Sequence, residues 1–405
     1  MKTIKCVDIL LPQVAEPEKW AVVSCDQFTS QRDYWQTLEA VVGDSPSTLK
    51  LIFPEVYLED DDREERTARI NATMKEYLDS NVFYTLKDSF ILVKRDTELR
   101  SRLGLMVAID LEDYSYNYPT EAPLRATEGV VPSRIPPRLK IRRDAPIELP
   151  HILIVVDDRK GRIIEDLYEK RESFQKLYDF DLNMKGGHLT GYKVPKDEVF
   201  ARLALYEKDL DGLYGVATDF TLAVGDGNHS LATAQAHWNE IKGTLTKEER
   251  ECHPARFALC ELENLHDKGI VFEPIHRVVF DVDNDNFVSV LKSKLNGTGS
   301  LEIVFGEGRE MIACNHIGAE CIAEVQKVID EYISEKGGVV DYIHGTEHLL
   351  SVAKEKSGVA IFMPTIKKEE LFQYVVDHGN LCRKAFSMGE AEEKRYYYEC
   401  HSIVK

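Results

Sequence analysis

The apolar positions of this chain switch repeatedly between two periods, short continuous or alternating runs that read as strands and three-to-four-residue spacings that read as helices. Residues 90–94 and 103–111 form two apolar runs that predict an antiparallel pair, and 151–156, 256–263 and 270–280 predict further strands. Ile70, Met74, Tyr77 and Leu78 share one helical face behind the acidic start Glu59-Asp-Asp-Asp-Arg-Glu-Glu65, which favours the positive end of a helix dipole and reads as a solvated helix start. A helix is expected over 195–212, after the glycine-rich 186–191, and a polar turn at 157–161 leads into 162–166. From about residue 284 onward helices (284–295, 318–336, 346–356, 366–378) alternate with strands (302–305, 358–363, 395–403). Mixed α/β architecture with α+β character follows.

The change of period is sharpest at 220–238. Phe220 to Val224 read as a buried strand, and Gly225-Asp-Gly-Asn-His-Ser230 as a tight loop; Leu231, Ala234 and Trp238 then fall on one helical face, with Asn228 or Ser230 as cap. Gly225 and Gly227 permit backbone angles and close approaches that a side chain forbids. Free N–H groups at the helix start would make the junction an anion site, although an ordinary turn, with Asp226 capping and His229 packing, reads equally well from spacing alone. A second segment of interest, 119–150, is rich in Pro and Arg and reads either as a surface meander or as a loop presenting Glu128 and one or two of Arg125, Arg134, Arg138, Arg142 and Arg143 to a phosphate.

Composition narrows the function classes. With 405 residues the chain exceeds one usual core, and close-packed segments 1–145, 146–283 and 284–405 are the expected division. A formal charge of −19 opposes a broad nucleic-acid surface, and an anionic ligand would need cations or helix starts gathered in a cleft. No apolar run approaches the roughly 18 residues needed to span a bilayer, and the start carries no signal-peptide core, so a cytoplasmic protein without a membrane partner is expected. The eight scattered cysteines form no Cys-x-x-Cys pair and read as reduced packing residues. Walker, Gly-x-Ser-x-Gly, His-Glu-x-x-His and dinucleotide signatures are lacking.

Several pieces, taken in order, resemble a bacterial and archaeal domain-of-unknown-function family, number ten-fifteen in its series. The family's Ala-Asp-Gly-His-His-Arg loop and Tyr-x-Thr-Ala helix start look like Gly225-Asp-Gly-Asn-His-Ser230 and Leu231-Ala-Thr-Ala234; its Pro-Thr-His-Arg-Val looks like Pro274-Ile-His-Arg-Val278. Ser45-Pro-Ser47, Phe53-Pro-Glu55 and Thr127-Glu128 are similar to three further motifs, while the C-terminal Leu381-Cys-Arg-Lys-Ala-Phe-Ser387 and Tyr396-Tyr-Tyr398 diverge more. The loop also resembles that of the ParB and sulfiredoxin superfamily, which includes free serine kinases using ADP or ATP. This resemblance implies a ParB/sulfiredoxin-like strand-loop-helix core with flanking α/β subdomains. It further implies a nucleotide-dependent kinase of a small hydroxyl metabolite such as serine, with Mg2+ and ATP or ADP as cofactors.

Within that reading Asp226 is the base or the metal ligand and Glu128 a second acid. Gly225, Gly227, Asn228, His229, Ser230 and Arg277 hold phosphate, and His276, His188 and Lys384 are further candidates. Where relatives carry His and Arg in the loop, this chain has Asn228 and Ser230. The missing positive charge must then come from elsewhere, with Arg277, Lys384 and the arginines of 125–143 as candidates. A non-catalytic nucleotide- or metabolite-binding protein and a phosphohydrolase remain the alternatives, as monomer or homodimer.

Overall fold

The computed structural model describes residues 1–210, 213–214, 219–316 and 318–405. The chain divides into two compact units, one formed by Met1–Ile270 with Glu390–Lys405, the other by Val271–Gly389. The breaks expected near residues 145 and 283 do not coincide with this division: strands from both sides of residue 145 share one sheet, and the final sixteen residues return to the first unit.

In the first unit ten strands build a mixed sheet: β1 (Ile4–Lys5), β2 (Ser89–Asp96), β3 (Ser101–Asp110), β4 (Tyr114–Ser115), β5 (Leu124–Ala126), β6 (Leu153–Val156), β7 (Gln175–Leu182), β8 (Gly187–Pro195), β9 (Leu222–Asp226) and β10 (Phe257–Asn264). The order is β7-β8-β2-β3-β10-β6-β9-β5-β4, with β1 pairing β3 off this path. The antiparallel β2/β3 hairpin appears as expected. Further in, β6 is parallel to β10 and antiparallel to β9, and β9 is parallel to β5. Central strands therefore carry apolar residues on both faces: Ile154, Val155 and Val156 are fully buried, as are Leu222, Ala223 and Val224.

Its longer helices are α1 (Arg32–Val42), α2 (Arg63–Asp79), α3 (Ile135–Arg142), α4 (Lys196–Glu207) and α5 (Asn228–Ile241). Ile70, Met74 and Tyr77 form the buried face of α2, and Glu64 and Glu65 occupy its first turn. Three segments take a structure that the sequence pattern left open. The Pro/Arg-rich stretch contains α3, because Pro136 and Pro137 lie in a first turn whose N–H groups have no intrahelical acceptor anyway. The glycine-rich 186–191 contributes to strand β8, and the segment entered by the polar turn at 157–161 is helical over 164–169. The expected helix over 195–212 spans Lys196–Glu207; residues 211 and 212 lie outside the described residues.

The second unit pairs β11 (Phe272–Phe280) with strands β14 (Val339–His344), β15 (Val359–Phe362) and β16 (Phe386–Met388), while β12 (Gly299–Phe305) joins β13 (Gly308–Cys314) to β15. Helices α6 (Asn284–Lys294), α7 (Gly318–Lys336), α8 (Thr346–Glu355) and α9 (Leu371–His378) follow the predicted alternation. Val278, Ile343, Leu349, Ala353 and Ala360 make one of its apolar clusters.

Candidate functional site

Strand β9 ends at Asp226 and α5 begins at Asn228, so the predicted strand-loop-helix is present with a single residue, Gly227, between its elements. Gly227 is the helix cap, with φ 84° and ψ 26°. A Cβ there would lie 3.1 Å from both the Cα and the Cγ1 of Ile152, so the left-handed backbone and the tight seat on residue 152 both call for glycine. Gly225 falls at a register shift between β6 and β9, where Leu153 faces Asp226 and Ile154 faces Val224. This bulge leaves Gly225 without a partner between two paired positions, and Asp226 closes the strand.

Asp226 Oδ1 accepts the Gly227 N–H at 2.8 Å, and Oδ2 accepts from Lys394 Nζ at 2.9 Å. The ammonium is nearly buried, whereas the carboxylate side chain keeps 30% of its surface exposed. Lys394 arrives from the returning C-terminal segment. It is the cation that the loop itself lacks, and no motif of the sequence marked it.

Parallel pairing of β5 and β9 sets Ala126 beside Val224, so Glu128 lies as far beyond β5 as Asp226 lies beyond Val224. The hydroxyl of Thr127 donates to the Val224 carbonyl at 2.6 Å, and the Val131 N–H donates to His229 Nε2 at 3.1 Å. The 127–131 segment is thereby stitched to the α5 loop, with Glu128 partly exposed at the same sheet end as Asp226. Asn228, the first helical residue, has a buried Oδ1 without a hydrogen-bond partner. Ser230, the third, shares a 2.7 Å hydrogen bond with His151 Nε2. His151 Nδ1 lies 3.0 Å from the Tyr397 hydroxyl, which also donates to Cys25 Sγ at 3.2 Å. Burial acts to raise the Asp26 carboxyl, but the charge of His151, a hydrogen bond from Gln27, the charge of Lys394 and a hydrogen bond from Ser24 hold it below its ordinary value. Burial pushes the Cys25 thiol and the Tyr397 phenol well up, so both stay protonated.

The remaining candidates are His188 in the same sheet and three residues of the second unit. His188, on β8, is five strands from β9, about 24 Å at the usual strand spacing. Its ring sits between Asp179 and Asp181, 2.6 Å from each; burial opposes its charged form, but the two carboxylates raise its pKa. His276, Arg277 and Lys384 belong to the second unit. Arg277 is fully buried there, bonded to Gln326 Oε1 at 3.1 Å and to the Ile275 carbonyl, with Tyr342 beneath its guanidinium. His276 accepts the Met363 N–H at 3.1 Å, and burial lowers its pKa to about 4, aided by His344 and Arg277. Among the arginines of 125–143, Arg138 pairs with Glu55, Arg142 with Glu148 and Arg143 with Glu240, while Arg125 is buried over Phe220.

Lys394 is placed by its neighbours. Arg395 is sealed between Glu261 and Glu399, and its Nε donates to the Pro150 carbonyl at 3.0 Å, next to His151. Arg95 and Arg102 hold the carbonyls of Glu392, Lys394 and Glu393 from the sheet side. Gly104 makes room for this cluster, since a Cβ there would collide with the Glu261 carboxylate.

Among the described residues no group of three or more His, Cys, Asp or Glu side chains is arranged to hold a metal ion, and no helix is long and apolar enough to cross a membrane. The fold is distantly similar to that of a free serine kinase solved in complex with ADP (12% identity, TM-score 0.42, 74% of this chain and 92% of that one). It is similar at the same level to a conserved hypothetical protein from Pyrococcus furiosus (12%, TM-score 0.37, 72% and 90%). SbnI from Staphylococcus aureus, with a C-terminal truncation, compares at 10% and TM-score 0.37, over 70% and 82%. No curated protein matches the chain. Residues 11–376 match the family described as protein of unknown function, DUF1015, and the chain belongs to that family.

Proposed function

We propose that the chain is a nucleotide-dependent phosphotransferase acting on a small hydroxyl compound, with the 225–230 loop as its phosphate cradle. The carrying observation is Lys394 on Asp226 at the start of α5: one loop joins a positive helix end, a buried ammonium and a partly exposed carboxylate. Phosphoryl transfer is mainly positioning and charge stabilisation. The first-turn N–H groups of α5 and Lys394 would face the phosphate oxygens, and Asp226 or Glu128 would accept the proton of the acceptor hydroxyl. Magnesium commonly reaches such sites on the nucleotide's own phosphates, with one or two carboxylates as protein contacts. Asp226 would be that contact, sharing its charge with Lys394.

The test is incubation with ATP or ADP, magnesium and a pool of small hydroxyl metabolites, followed by mass spectrometry. A phosphorylated product that needs the protein and disappears in Asp226→Asn supports the reading. Release of phosphate alone would make the protein a hydrolase, and nucleotide protection against thermal unfolding without turnover would make it a binding protein. No nucleotide effect of any kind would end the phosphate reading.

A further inference from the structure

Beside the phosphate cradle stands a hydroxyl with its own base. Ser230 Oγ is 2.7 Å from His151 Nε2, and the ring's other nitrogen is 3.0 Å from the Tyr397 hydroxyl. Tyr397 has one proton, donated to Cys25 Sγ at 3.2 Å, and its oxygen also accepts the Cys25 N–H at 3.1 Å. With that proton on Cys25 Sγ the phenol oxygen accepts from His151 Nδ1–H, and in this tautomer the Nε2 lone pair faces Ser230. Tyr397 is 1% exposed and its ring meets that of His151 edge-on, so the imidazole is held in this orientation.

Resting on the phosphotransferase reading, we infer that Ser230 is a covalent relay, phosphorylated by the nucleotide before the phosphoryl group passes to the acceptor. In the first step Ser230 Oγ bonds to the terminal phosphorus of a nucleoside di- or triphosphate. The bond from that phosphorus to its bridging oxygen breaks, its electron pair leaves with the shortened nucleotide, and the serine proton goes to His151 Nε2. In the second step the acceptor hydroxyl bonds to the same phosphorus and Asp226 takes its proton; the Ser230 Oγ–P bond breaks, its electron pair returns to Oγ, and Ser230 recovers its proton from His151. The intermediate sits in the first turn of α5, where the helix dipole favours a phosphate. Tyr397 is a positioning residue: it touches neither phosphate nor acceptor and acts by fixing the tautomer of His151.

The experiment uses the full chain with magnesium and ATP or ADP labelled in the terminal phosphate, quenched in acid and sequenced by mass spectrometry. The expected result is acid-stable label on Ser230, formed at least as fast as turnover and discharged when the acceptor pool is added. Ser230→Ala should carry no label and Ser230→Thr should regain it. His151→Asn should slow labelling by about 10²- to 10⁴-fold, and Tyr397→Phe should alter the pH profile of labelling. Undiminished turnover in a folded Ser230→Ala protein, or label that no acceptor discharges, overturns the relay and leaves direct transfer. A wild-type protein that neither binds nor turns over nucleotide removes the underlying reading as well.

Discussion

Lys394 and Arg395 are neighbours in sequence and opposites in circumstance. Arg395 lies between Glu261 and Glu399 with every partner essentially sealed from solvent. Lys394 meets Asp226, a carboxylate whose side chain keeps 30% of its surface exposed. The first arrangement is a charge network satisfied by the protein itself, where each ion has given up water and is committed to its partners. The second holds a buried cation whose partner still faces outward. The contrast teaches where positive charge is available in an acidic chain: beside the sealed cluster, on the residue that the cluster holds in place.

The strongest break in this comparison is Arg395→Met. It leaves Glu261 and Glu399 buried without their counter-ion, and loss of one partner of such a pair typically costs about 3–5 kcal/mol. Denaturant unfolding should show that loss. Nucleotide protection should fall too, because Lys394 would lose its anchored neighbour. Unchanged stability would mean that the cluster does not hold the C-terminal segment.

This dependence also explains what could be read from the chain. The strand 220–224, the loop and the helix were legible because they are local: a buried run, two glycines and a helical face within about twenty residues. Glu128 was legible as a candidate because it stands in a distinctive Arg-rich stretch. Lys394, His151 and Tyr397 were not, since they reach the loop through a sheet neighbour and through a segment more than 160 residues downstream; the Tyr396-Tyr-Tyr398 run stood out as a motif, but nothing in it pointed to the loop. Arg277 was legible as a strand cation, but its burial and its bond to Gln326 within the second unit come from contacts that a single strand does not announce.

Acid should separate sealed from open carboxylates next. Glu148 is buried, which alone would raise its pKa, but Arg142 and His401 with the Leu259 N–H bring it down to about 2. A depressed carboxylate contributes stability that is complete above its unfolded pKa near 4.5 and is lost as pH falls through the folded value. The shift corresponds to roughly 3 kcal/mol. Unfolding free energy should therefore decline progressively from about pH 5 toward pH 2, and less steeply in Glu148→Gln. An identical slope in the two proteins would remove Glu148 from the sealed class.

Lys394→Met probes the open pair. Asp226 keeps solvent access, so stability should change little. A charge-assisted contact to phosphate would be missing, worth about 1.5–3 kcal/mol, or ten- to a hundredfold in nucleotide affinity. Titration calorimetry at fixed salt reads this directly. Lys394→Arg should restore part of the affinity through its retained charge, and equal binding by Lys394→Met and wild type would assign the positive charge to another residue.

The smallest effect is expected at His188, whose ion pairs with Asp179 and Asp181 are largely solvated. Its raised pKa gives stability that is fully present below the unfolded value near 6.5 and lost as pH rises through the folded one. Solvent screening limits such an exposed network to within about 1 kcal/mol. His188→Gln should lower stability slightly at pH 5.5, converge with wild type at pH 9, and leave nucleotide affinity unchanged. A clear loss of affinity would show that the far end of the sheet is coupled to the α5 loop, and that the distinction between a structural ion pair and a ligand-facing one is not set by burial alone.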